Sequence, residues 1–263
     1  MKNFILSVVI LLGGISMASA HLITQPVEYK QGNVTMEGYL AYDDSFSGKR
    51  PGILVVHEWL GLNDYAKMRA DMLAKLGYVA FAADIYGKGV RANNVQEATE
   101  LSSKYKNDRT LLRQRAQAAL DTLKALPQVD SSRLAAIGYC FGGTTVLELA
   151  RSGADLKGVV SFHGGLNTPT PQDAKNIKAE ILALHGRDDP FAPKKEVMAF
   201  EQEMKNAHVK YNIVLYPKAV HGFTNPANKG ELSGVLYNAS ADKKSWQAMQ
   251  EFLNRIFREN ESK

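Results

Sequence analysis

Between an apolar run and a helical pattern stands Gly138-Tyr139-Cys140-Phe141-Gly142-Gly143, and this segment leaves the backbone little freedom. Residues 133–139 have the composition of a buried strand, and residues 142–151 follow at once with helical spacing. A chain that turns from strand to helix within one residue brings its flanking positions into collision unless they lack side chains. Glycine stands at those positions, so the side chain of Cys140 is expected to be held out at the carboxyl end of the strand.

The rest of the chain repeats that strand-then-helix order. Residues 27–42, with Gly32 and Gly38, suggest an opening hairpin. Apolar runs at 52–57, 78–83, 133–139, 158–162, 179–185 and 210–216 have strand character. Helical patterns fill 63–76, 95–105, 109–126, 142–151, 193–207 and 240–258, with Gly77 and Pro127 as stops. Alternation of this kind predicts an α/β fold with a mostly parallel central sheet and helices on both faces. Ligands bind such sheets beyond the carboxyl ends of the strands, so chemistry is expected in the segments that follow each strand.

With 45% apolar and 22% charged residues, 263 residues are enough for a sizeable core. The net charge of +5 is scattered, without a run of five basic residues, which argues against a nucleic-acid partner. Lys2, an apolar stretch at 4–12 and Ala18-Ser19-Ala20 have the three parts of a secretory signal peptide. That stretch is too short for a spanning helix, which needs about 20 residues. A leader at 1–20, one mature domain at 21–263, and an exported, periplasmic or secreted protein without membrane insertion are therefore expected. The only cysteine excludes an internal disulfide, and none near the cleavage site permits a lipoprotein anchor. The mature protein is expected to act as a monomer.

G-x-C-x-G-G is the cysteine version of the nucleophile elbow. The partial positive charge of a helix N-terminus favours a thiolate there, and the Phe141 N–H points to where an oxyanion would form. The fifth of the six runs leads to Gly186-Arg187-Asp188-Asp189-Pro190, and the sixth to Val220-His221-Gly222-Phe223. Nucleophile, acid and histidine thus follow one another in the order used by α/β-hydrolases. His221 is expected as the base. Its acid is Asp189, by the register G-x-x-D-x-x-x-P, with Asp188 as the alternative. His57 and His185 line the pocket or pack, His163 in His163-Gly164-Gly165 is expected in a turn, and His21 and His208 at the surface. No spacing suits a metal, and no cofactor is implied.

At this point the chain resembles the dienelactone hydrolases over about residues 51–257. The resemblance rests on His57-Glu58-Trp59-Leu60-Gly61-Leu62-Asn63, Ala83-Asp84-Ile85-Tyr86-Gly87, Gly138 to Gly143, Gly186 to Pro193, and His221-Gly222-Phe223. It implies an α/β-hydrolase fold. It also implies that Glu58 takes part in generating the thiolate, and that the Trp59 N–H completes the oxyanion hole with Phe141. Members that hydrolyse dienelactone hold its carboxylate with two arginines. The matching places here hold Lys88 and Asn225, with Arg91 nearby as a substitute cation. The expectation is a hydrolase of small carboxylic esters or lactones, working through Cys140, His221 and Asp189 and an acyl-enzyme. The alternative is a non-catalytic small-molecule binding protein on the same fold.

Overall fold

A computed structural model describes residues 21–258. The leader expected at 1–20 and the polar tail at 259–263 lie outside the described residues. Two long strands, β1 (Leu22–Gln31) and β2 (Val34–Asp43), form the opening hairpin and extend it beyond the 27–42 of the sequence pattern. Then follow β3 (Arg50–Val56), α1 (Asp64–Ala74), β4 (Val79–Ala83), α2 (Val95–Asn107) and α3 (Arg109–Ala125). The second half holds β5 (Val129–Tyr139), α4 (Phe141–Arg151), β6 (Gly158–Phe162), β7 (Glu180–Gly186), α5 (Lys194–Asn206), β8 (Tyr211–Tyr216) and α6 (Ala239–Arg258). A short 3-10 helix at Pro171–Asn176 had no periodic signal.

The eight strands form one sheet in the order β1-β2-β4-β3-β5-β6-β7-β8. Strands β3 to β8 are parallel, and the hairpin joins antiparallel through β2 and β4. This is the α/β-hydrolase fold. From β3 the chain crosses to β4 on one side and later to β5 on the other, so the loops after β3 and β5 open a crevice between them.

Side chains alternate between two buried layers, as pleating demands. Leu54 and Val56 of β3 meet α3 and α4 residues such as Leu120 and Val146, while Ile53 and Val55 meet Ala70 and Leu73 of α1 and Leu253 of α6. The apolar stripe of α6, Met249, Phe252, Leu253, Ile256 and Phe257, is spaced for one helical face and is buried throughout. Behind the turn at Cys140, α4 is tied down by Arg151, fully buried between Glu148 and Glu203 at 3.0 and 2.7 Å. Among the described residues no helix is long and apolar enough to cross a membrane.

Candidate active site

Strand β5 ends at Tyr139 and α4 begins at Phe141, so Cys140 alone makes the turn, with φ +54° and ψ −113°. That conformation is strained for any residue with a side chain. The close approach it requires explains the glycines. A Cβ on Gly138 would lie 2.0 Å from the Gly142 carbonyl oxygen, and one on Gly142 would lie 2.2 Å from that of Val56. The turn therefore packs backbone on backbone, against the end of β3.

Cys140 Sγ lies 3.0 Å from His221 Nε2, and His221 Nδ1 lies 2.8 Å from Asp189 Oδ2. Asp189 follows β7 and is 3% exposed, whereas the adjacent Asp188 points to solvent. The second oxygen of Asp189 accepts the backbone N–H groups of Phe191 and Ala192. Burial disfavours charge on His221, yet the Cys140 thiolate and the Asp189 carboxylate outweigh it and push the imidazole up to about 10. Burial likewise disfavours the Asp189 carboxylate, but the bond from His221 and its charge hold that group below the ordinary range. Neither the Phe141 nor the Trp59 backbone N–H has an acceptor among the described residues, and both residues line the same cavity as Cys140. This cavity of about 790 Å³ also contains Glu58, His221 and Asn225.

Glu58 is 6% exposed, and its Oε2 accepts a hydrogen bond from Asn225 Nδ2 at 2.6 Å. Burial raises this carboxyl above its ordinary value. The Asn225 bond and the charges of His221 and Arg69 offset that only in part. A buried carboxyl of this kind is a better proton acceptor than a solvated one.

These residues lie on segments that match the dienelactone hydrolase family, whose likeness runs over residues 36–257. The chain belongs to that family. Membership makes it a hydrolase of the dienelactone hydrolase type. A dienelactone hydrolase-like promiscuous phosphotriesterase from metagenomic libraries is 39% identical, with a TM-score of 0.86 over 90% of this chain and 99% of that one. Protein usf of Aquifex pyrophilus is 31% identical over 206 residues, 76% of this chain and 87% of its own length. An uncharacterised protein of Caenorhabditis elegans is 40% identical over 154 residues, 56% of this chain and 94% of its own length.

Two of the three residues expected to bind substrate stand elsewhere. Lys88 is exposed and pairs with Glu28 of β1 and Glu37 of β2, the latter at 2.9 Å, so the hairpin takes up its charge. Arg91 bonds the carbonyl oxygens of Leu62 and Val90 and lies 3.6 Å from buried Asp84. Neither lines the cavity. Asn225 does, but in this family member it holds Glu58.

His163 lies in a bend after β6, as expected, and its contacts add what the sequence did not show. It is fully buried, with φ +40°, and the Cys140 N–H donates to its Nδ1 at 3.1 Å while also donating to the Phe162 carbonyl at 3.0 Å. An accepting Nδ1 leaves the ring proton on Nε2, which lies 2.7 Å from Thr224 Oγ1. Burial, then the charges of His221, His185 and Arg69, hold His163 well below 6.5, so it is neutral. Tyr65 and Arg69 complete the network. The Tyr65 hydroxyl bonds Thr224 Oγ1 at 2.6 Å, and Arg69 donates to the Thr224 carbonyl and to Asp242. His57 packs on Phe141, and burial drives it down to about 4. His185 bonds the Ala192 carbonyl at 2.8 Å in the Asp189 loop.

Proposed function

We propose that this protein hydrolyses small carboxylic esters or lactones through a covalent acyl-enzyme on Cys140. The observation that carries the reading is the hydrogen-bonded chain Cys140–His221–Asp189, which opens into a cavity beside the free N–H groups of Trp59 and Phe141.

The Cys140 thiolate attacks the carbonyl carbon, and the two backbone N–H groups bind the oxyanion. The His221 imidazolium gives its proton to the leaving alkoxide as the carbon–oxygen bond breaks. His221 then takes a proton from water, whose oxygen attacks the thioester and releases the acid with return of the thiolate. Asp189 fixes the imidazole's tautomer and stabilises its charge. Glu58 accepts the thiol proton when Cys140 enters the cycle protonated.

The protein is further read as exported, on the strength of the leader pattern at residues 1–20. Mature protein recovered outside the cytoplasm should begin at His21. An N-terminus at Met1 on all of it would count against export.

A panel of short-chain esters and lactones, assayed with wild type and Cys140→Ala, tests the chemistry. The reading expects turnover that the substitution abolishes. Normal hydrolysis by Cys140→Ala would overturn it.

A further inference from the structure

The charge around the nucleophile is one-sided. The carboxyl-bearing side chains lining the cavity are Glu58, Asp64 and Glu231, and the one lysine or arginine among the lining residues is Lys106. Lys106, Asp64 and Glu231 are all exposed, so Glu58 is the one buried carboxyl of the wall, and no lysine or arginine is buried beside it in the lining. His221 is already flanked by Asp189 and Cys140, at 2.8 and 3.0 Å. Arg69 lies behind the wall and is saturated by Asp242, the Thr224 carbonyl and Tyr65. Lys88 and Arg91 are engaged elsewhere. The remaining wall combines apolar side chains, Trp59, Leu60, Val95, Phe191, Leu232 and Val235, with uncharged polar ones such as Asn94, Ser103 and Thr144.

We propose that this cavity selects by charge: it takes uncharged esters and lactones with apolar substituents and discriminates against substrates that carry a carboxylate. The proposal rests on the cysteine-hydrolase reading for its chemistry, and on the wall alone for its selectivity. An anion entering the cavity gives up hydration, and the one cation it meets beside Cys140, His221, is already paired with Asp189 and Cys140. It also comes close to Glu58, whose field is poorly screened in a partly enclosed site. Asn225 sharpens the effect, because it binds Glu58 without bringing positive charge.

Two matched pairs of probes test this. Iodoacetamide and iodoacetate alkylate a thiolate by the same displacement, in which a sulfur–carbon bond forms as iodide leaves, and they differ in charge. The chain has one cysteine, so the product is unambiguous. The ratio of the two rates, folded over urea-unfolded, should favour iodoacetamide by about tenfold or more, equivalent to ~1.4 kcal/mol. Mono-p-nitrophenyl adipate and its methyl ester form the second pair, and kcat/KM should favour the methyl ester by about 100-fold. Leu232→Arg, which adds a cation to the wall, should narrow both ratios. Equal rates within either pair, or preference for the anion, would overturn the proposal. If neither ester turns over, the hydrolase reading fails while the alkylation ratio still decides the selectivity.

Discussion

The backbone N–H of Cys140 donates to Nδ1 of His163, so a neutral histidine 23 residues downstream helps to hold the turn that carries the Cys140 thiol. The contact joins two residues with positive φ, each costly on its own. Their mutual hydrogen bond, and the Thr224 bond behind it, offset part of that cost. His163→Ala should lower kcat about tenfold with little change in KM, since the thiol loses its placement and the cavity wall is untouched. His163→Asn should recover much of the loss, because asparagine tolerates positive φ and offers an oxygen near the Nδ1 position. Equal impairment of both variants in kcat and KM would show general damage to the fold instead.

The glycines of the turn are a backbone requirement. Gly142→Ala forces a Cβ to within 2.2 Å of the Val56 carbonyl oxygen, and neither backbone can yield without moving β3. Urea unfolding should show a loss of about 3 kcal/mol or more, at the upper end for single substitutions.

Glu58 sets activity against stability. Its carboxyl is raised by burial, so the folded state binds the proton more tightly and stability falls as pH rises above the ordinary 4.5. Glu58→Gln removes that buried charge while remaining able to bond Asn225. Its thermal midpoint should exceed wild type by more at pH 8 than at pH 4.5, while kcat/KM falls about 100-fold. A midpoint difference independent of pH would contradict this assignment of charge.

His221 titrates the other way. Its folded value of about 10 lies above the ordinary 6.5, so its stabilising contribution is complete below about 6.5 and gone above about 10. As the leaving-group acid it should also impose an alkaline limb near pH 10 on kcat/KM for alkyl esters. That limb should be absent for p-nitrophenyl esters, whose leaving group needs no proton. Asp189→Asn withdraws the carboxylate that helps raise His221. The limb should move to lower pH, and kcat should fall about 10³-fold or more.

Legibility in the sequence followed the range of each constraint. The turn at Cys140 was legible because its geometry admits little but glycine on either side, and Gly186 to Pro193 set Asp189 apart from Asp188 through local register. The sheet was legible from apolar runs of strand length. The turn at His163 was legible, but its bonds to Cys140 and Thr224 were not, because those partners are 23 and 61 residues away. The ion pairs of Lys88 were not legible for the same reason. Its charge is consumed by Glu28 and Glu37 on a hairpin that sequence spacing cannot bring to it. The Asn225–Glu58 bond depends on side-chain direction, which periodicity does not encode.

The central claim is a covalent acyl group on Cys140, and trapping it is the direct test. Enzyme mixed with p-nitrophenyl butyrate, quenched in acid within milliseconds and weighed intact, should carry one butyryl group, mapped to the peptide containing Cys140. A burst of p-nitrophenolate equal to the enzyme concentration should accompany it. Steady turnover with neither adduct nor burst, undiminished in Cys140→Ala, would contradict the account.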